Sequence, residues 1–453
     1  MIRKICGHSF RHPIVTSTLP RVLGCLLLIL ALIPFLFHTI LDVDLFWHMS
    51  CGKELLTTGK IDYTHLYYSI VTDLHSNQKF TWMGDILLFL IHYVGGAIGL
   101  QLFRSILICL LPWFLWEVSD KKLNLFKVCV GILVLLGCGQ LYLLRNSIFS
   151  LLFYPMLWYF ILKNKPIHTI ILLMLWSMIH GSYMMGIIMA PIIYISSLKN
   201  FRYWIFFSLI GLVVLLNSVL PIQNYLHLPT SFNLNDTIFH VDSLTSRDFL
   251  SPFIYLKPYT VAMLILTGMV IGLIKKPKLV YILPFIATFI PGFGYIRMIG
   301  YHAITCAIVL IFAECNGDIR RFPGIMYLPP AVFGIIIIWA CYFQFFGLGL
   351  HPKYRELSGI DYKSEVLSTD TIAGYLYFQH GIRGYIDTFF EPHPSEVRNQ
   401  YNIWLMFPER IPAAINTCML SKDDAFYFYK SEVWEKTFEG TYNVVFRRKE
   451  KKE

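Results

Sequence analysis

Two carboxylates stand two residues apart in the stretch LDVDLFWHMSCGKELLTTG, from Leu41 to Gly59. Asp42 and Asp44 follow the first long apolar run, where a helix would leave a bilayer. An acid there meets the negative end of the helix dipole and loses hydration close to hydrocarbon. A cation, a shared proton or a bound ligand would compensate. Two structural readings stand beside the chemical one: Asp44 can cap a helix beginning at Leu45, and Asp42 can mark the membrane border. A third acid, Asp85, lies in the first turn of the apolar stretch from Trp82, where it also suits a helix N-terminus. Arg145 (YLLRNSIFS) and Arg297 (FGYIRMIGYH) close apolar runs. Arginines so placed anchor by snorkelling or hold phosphate with two parallel hydrogen bonds. His180 (WSMIHGSYMMG) falls near the same face and reads as a packing residue or a ligand contact. Arg247 and Lys257, in a long polar loop, can meet an anion or stay solvated. Taken together, one acid can serve as a base, its neighbour can orient it or hold a divalent cation, and the arginines can stabilise an anionic leaving group.

The elements that must position these groups are apolar helices. Of 453 residues, 56% are hydrophobic and only 15% charged, with a mean hydropathy of +0.57. This is the composition of a polytopic membrane protein. Apolar runs fall at about 22–41, 99–118, 126–144, 148–162, 167–181, 183–198, 203–220, 259–274, 279–294, 298–313 and 324–346, which gives about 11 transmembrane helices. Basic residues alternate across them. Arg3, Lys4, Arg11 and Arg21 precede the first run, and Lys121, Lys122, Lys127, Lys163, Lys165, Lys199, Arg202, Lys275, Lys276, Lys278, Arg320 and Arg321 crowd the short loops on the same side. That bias predicts a cytoplasmic N-terminus and an external position for Asp42 and Asp44. The net charge of +10 is dispersed over these loops, with no basic helix or stacking platform for nucleic acid. The first run, without a small-x-small cleavage site before Asp42, reads as a retained span. Six of the ten cysteines lie in apolar runs. Cys51 and Cys418 fall in predicted external segments, so a bond between them is an option, and no cysteine or histidine spacing marks a metal site.

The first external segment, about 42–98, is too long for a plain connector. It predicts two interfacial helices, one from Asp44 that Gly59 ends and one from about Trp82 to Tyr93 that Gly95-Gly96 breaks. The loop at about 221–258 has the length of a lid or substrate contact. After residue 347 acidic and basic residues are nearly balanced. AFYFYK (425–430) and TYNVVFRR (441–448) read as strands, and IAGYLYFQHG and NQYNIWLMF as helices. The predicted fold class is an α-helical polytopic membrane domain, residues 1–346, with interfacial helices in its first external loop, followed by a small external α+β domain, residues 347–453.

Several segments, in order, resemble a family: DVDLFWHMSCGKELLTTGKI, FTWMGDILLFLIHYVGGAIGLQLFR, LYLLRNSIFSLLF, WSMIHGSYMMG, GYIRMIGYHAITCAI and GYLYFQHGIRGYIDTFF. They look like the bacterial multi-pass C-type (GT-C superfamily) glycosyltransferase-like membrane proteins. The resemblance covers most of the chain. It implies a polyprenyl-phosphate-linked sugar as donor and catalytic acids in the first external loop. By that resemblance Asp42, Asp44 and Asp85 match the acids, with Asp42 and Asp44 able to hold Mg or Mn. Arg145, Arg297 and His180 match substrate- or phosphate-binding positions. The chain departs from the family pattern at Thr81, where an acid is usual, at Thr388-Phe389 after Asp387, and at Ser246-Arg247.

The implied activity is glycosyl transfer on the external face of a cell inner membrane to a lipid, glycan or protein acceptor, with a first-loop Asp as base. The partners are the lipid-linked sugar and membrane lipids. A flippase or polymerase of surface glycans and a non-catalytic assembly protein are the alternatives. A flippase calls for ionisable residues at mid-membrane, whereas the charges here collect at one face.

Overall fold

The structure, a computed structural model, describes residues 18–59, 82–118, 123–197, 257–294, 298–320, 322–358, 360, 366–382 and 395–449. The predicted run at 203–220, nearly all of the 221–258 loop with Arg247, and Arg297 lie outside the described residues.

Among the described residues the protein is mostly helical, with one small sheet near its C-terminal end. The helices are α1 (Thr18–Leu36), α2 (Asp44–Thr58), α3 (Trp82–Val118), α4 (Leu125–Gly137), α5 (Ser150–Leu162), α6 (Pro166–Ile179), α7 (Tyr183–Ser196), α8 (Pro258–Leu273), α9 (Leu279–Gly294), α10 (Ile299–Cys315), α11 (Leu328–Tyr342), α12 (Asp370–His380) and α13 (Ser395–Met406). Each predicted apolar run within the described residues carries a helix. Among the described residues two stretches suffice by length and composition to cross a membrane, Trp82–Glu117 and Gly324–Tyr342, and the other apolar helices there are shorter.

Two glycines act as expected. Gly59 stops α2 in the left-handed region at φ 68°, its N–H returning to the carbonyl of Leu55, a conformation that only a residue without Cβ adopts cheaply. Gly96, at φ 58° and ψ −154°, kinks α3 and separates the stretch from Trp82 from the apolar run after it. One run differs from expectation. The stretch 126–144 is helical only to Gly137, then passes through a 3-10 turn at Gly139–Tyr142 into extended backbone at Leu143 and Arg145. A Cβ on Gly137 would stand 2.8 Å from that of Ala303, so α4 and α10 approach too closely there for a larger residue. The extended stretch delivers Arg145 to the acids.

The acid-bearing end is tied down by chain from far away. The N–H of Thr39 donates to Phe345, that of Ile40 to Gly349, and that of His351 to Ile40. Residues 37–41 are thereby laced to 345–351. Helix α3 closes the free end of α1: Gln101 donates to the carbonyls of Leu36 and Gly347, Ser105 to Phe35, and Arg104 to His38. The carbonyls of Phe35 and Leu36 are among the orphans that a helix C-terminus leaves.

The sheet has the order β1-β2-β4-β3, with β1 (Val366–Ser368) parallel to β2 (Thr417–Ser421), and β4 (Asn443–Arg448) antiparallel to both β2 and β3 (Trp434–Glu439). The segment 425–430, predicted as a strand, is instead a turn with a 3-10 helix at Phe428–Lys430. Its buried residues, Ala425 and Phe428, are three apart, the spacing of that helix rather than of a strand. Ser421 and Asp424 bond each other's side chains and set the bend. Cys51 and Cys418 are buried thiols that are not bonded to one another.

Candidate active site

Asp42 and Asp44 converge on one guanidinium. Arg145 Nη1 lies 2.9 Å from Asp44 Oδ2, and its Nε lies 3.3 Å from Asp42 Oδ1 and 3.4 Å from Oδ2. Asp42 Oδ1 also accepts the backbone N–H of Asp44 at 3.1 Å. The capping role that the sequence offered to Asp44 thus falls to Asp42. Helix α2 begins at Asp44 with Val43 before it, and the Asp44 side chain turns to the arginine. The two acids differ in access: the Asp42 side chain is 3% exposed and that of Asp44 25%. Burial, with the Asp44 charge adding to it, pushes the Asp42 carboxyl above the ordinary carboxylate range. Arg145, the Asp44 N–H and His48 pull the other way without reversing it.

A second cluster adjoins the first. His48 lies four residues after Asp44, on the same face of α2. Its Nδ1 is 2.6 Å from Oδ1 of Asp85, at the start of α3. Asn146, next in sequence to Arg145, donates to the same oxygen at 2.6 Å. Asp85 is 1% exposed and Asn146 is fully buried. The contact needs two glycines. A Cβ on Gly52 would lie 2.2 Å from the carbonyl oxygen of Asp85, and one on Gly84 would lie 2.6 Å from Asn146 Oδ1. The dipole position expected of Asp85 is real, since it sits in the first turn of α3, but its carboxylate also orients an imidazole.

His180 ends α6, and Nδ1 accepts from the N–H of Ser182 at 3.1 Å and bonds its hydroxyl at 2.6 Å. Ser182 in turn bonds Ser150 at 2.7 Å. The carbonyl of the preceding Ile179 lies beside Gly84, so His180 stands at the edge of the second cluster with its Nδ1 already engaged. Lys257 is exposed at the start of α8 and, among the described residues, forms no ion pair with the acids.

The C-terminal region covers the acid pair. Tyr354 donates its hydroxyl to the carbonyl of Leu41 at 3.2 Å. Burial, then the charges of Asp42 and Asp44, hold this phenol well above its ordinary pKa, so it remains a donor. Phe46 of α2 packs edge-on against Tyr354 and Tyr375, and Gly374 of α12 lies against the carbonyl of Val43. His48, Asn146, Arg104 and Tyr354 were not among the residues singled out from sequence. His48 was within reach, being one helical turn from Asp44, and Asn146 adjoins Arg145. Tyr354 gave no local signal.

The expected divalent cation finds a poor donor set. Among the described residues no group of three or more His, Cys, Asp or Glu side chains is gathered to hold a metal. Arg145 stands between the two carboxylates that would do so.

No family model and no curated protein sequence matches the chain. Among solved structures the chain is similar to ArnT from Cupriavidus metallidurans, solved bound to undecaprenyl phosphate, with a TM-score of 0.57 and 10% identity over 95% of this chain and 98% of that one. The archaeal oligosaccharyltransferase AglB from Archaeoglobus fulgidus, solved with an inhibitory peptide and a dolichol-phosphate, aligns at a TM-score of 0.47 and 9% identity, over 89% of this chain and 70% of that one. The likeness to ArnT runs nearly end to end, and on it the chain has a GT-C-like fold.

Proposed function

We propose that the protein is a glycosyltransferase that moves a sugar from a polyprenyl-phosphate donor to a hydroxyl acceptor at the outer border of a cell inner membrane. In this reading the N-terminus is cytoplasmic, and the acid-bearing end and the domain after residue 347 face outward. The acceptor oxygen attacks the anomeric carbon and its proton passes to a carboxylate. The bond from that carbon to the phosphate oxygen breaks, and the electron pair leaves with the phosphate. Asp44 is the base because it is the more exposed of the two acids and so the one an acceptor can reach. Asp42 fixes the turn that presents it. Arg145 holds both acids in place. His48, held by Asp85, lines the same face of α2. No step is routed through a metal.

The observation that carries this reading is the pair of acids clasped by Arg145 at one end of a GT-C-like bundle. Mass spectrometry of surface glycolipids and glycans tests it, with and without the gene and with Asp44→Asn at normal protein level. A sugar lost in both strains supports it. A profile unchanged by deletion removes transfer as the function and favours an assembly role, and a wild-type profile with Asp44→Asn removes that residue from the chemistry.

A further inference from the structure

Arg104 is a buried cation of a different kind from its neighbours. It lies within the apolar stretch Trp82–Glu117 and is 5% exposed. Other buried or half-buried cations among the described residues are matched to carboxylates. Lys127 stands 3.5 Å from Glu314, and Arg145 holds Asp42 and Asp44. Arg104 donates to the carbonyl of His38, and among the described residues it has no ion pair. A guanidinium carries five N–H donors, so that one bond leaves most of its capacity unused. A charge in such a place is costly unless a counter-charge meets it, and ionisable groups at membrane depth mark ligand sites more often than scaffolding. Asp42 is near enough for its charge to act on Arg104, yet its carboxylate is already held by Arg145.

We propose that Arg104 holds a phosphate anion at the free end of α1, where α3 packs against it, next to the Asp42–Asp44–Arg145 centre. The proposal rests on the lipid-phosphate donor reading above and assigns the anion a cation that is not already clasping acids. Arg145 can then remain the organiser of the two carboxylates while the donor phosphate is bound.

The discriminating substitution is Arg104→Gln, which keeps an N–H for the His38 carbonyl and loses the charge. The full-length protein in lipid nanodiscs is titrated with undecaprenyl phosphate and, separately, with inorganic phosphate, and bound ligand is read by native mass spectrometry. Losing a charge-assisted contact to phosphate should weaken undecaprenyl phosphate binding roughly tenfold or more with little change in thermal midpoint. Wild-type affinity in a folded Arg104→Gln protein overturns the assignment and leaves the donor reading standing. A wild-type protein that binds neither ligand overturns both. Arg104-dependent binding of inorganic phosphate alone supports the anion site and removes the lipid as its occupant. Should the glutamine variant fail to fold, Arg104→Lys keeps charge and donor but loses the planar fork. It should bind undecaprenyl phosphate several-fold more weakly, and unchanged affinity there counts against the proposal.

Discussion

Replacing Arg145 with Gln removes the cation between two carboxylates, and the effect should depend on pH. Breaking a buried ion pair by deleting one partner typically destabilises by about 3–5 kcal/mol, because the remaining charge stays buried without its partner. The arginine and Asp44 side chains are each 25% exposed while Asp42 is 3% exposed, so water screens part of the loss and about 2–4 kcal/mol is expected. Asp42 supplies the pH dependence. Its carboxyl is already raised by burial, and Arg145 is the largest influence holding it down. Without Arg145 it rises further. A raised acid binds its proton more tightly in the folded state, so its contribution is fully present below the unfolded carboxylate range, near pH 4, and is lost as pH climbs through the folded value. Arg145→Gln should therefore be mildest in acid and worst at and above neutral pH.

Adding Asp42→Asn removes the charge that was stranded. The double variant should recover about 1–3 kcal/mol relative to additivity, and its pH dependence should flatten. Thermal unfolding in nanodiscs at pH 5 and pH 8, for wild type, both singles and the double, measures the cycle. A shift of about 1–3 °C between Arg145→Gln and the double at pH 8 is expected for a chain of this size. Additive single effects, or an Arg145→Gln penalty equal at both pH values, would refute the claim that the guanidinium is there to hold Asp42.

Other perturbations probe the supports of the site. Glu356 accepts the backbone N–H groups of Thr441, Tyr442 and Asn443 and the side chain of Asn443, so Glu356→Ala should loosen the β3–β4 hairpin by about 2–4 kcal/mol, seen as faster proteolysis after residue 430. Gly52→Ala would place a Cβ 2.2 Å from the Asp85 carbonyl. It should part α2 from α3, destabilise by about 1–3 kcal/mol, and change the NMR signal of the His48 ring, which an intact His48–Asp85 bond would leave unmoved.

What the sequence made legible was local. The stop at Gly59 and the break at Gly96 follow from residues that take positive φ at no steric cost, and apolar runs became helices because their backbone has no other way to satisfy itself away from water. The acids were found because their place after a span is energetically awkward. Their compensation was not legible in detail, since which arginine reaches which acid depends on where α4 ends. Arg145 comes into position only because the helix stops at Gly137 and the chain extends. The segment 425–430 shows the opposite failure: its aromatics suggested a strand, but the spacing of Ala425 and Phe428 carried the truer signal.

The lacing of residues 37–41 by 345–351, with Tyr354 on the Leu41 carbonyl, gives the last 107 residues a direct part in placing Asp42. Arg145 and Asn146 complete the logic from the other side. Arg145 ends the extended stretch and Asn146 opens the 3-10 helix after it, and these adjacent residues face different clusters, Arg145 the acid pair and Asn146 the His48–Asp85 bond. A shift of that stretch moves both clusters together, and helix α2 carries one member of each, Asp44 and His48, a single turn apart. Rigid coupling of this kind is what a site needs if a carboxylate must stay within hydrogen-bond reach of an acceptor hydroxyl while a lipid tail moves in the bilayer. It also explains why α2 tolerates a glycine at position 52 in its interior. The helix propensity lost there is about 1 kcal/mol, and the closer approach of α2 to α3 that it permits is what brings His48 to Asp85.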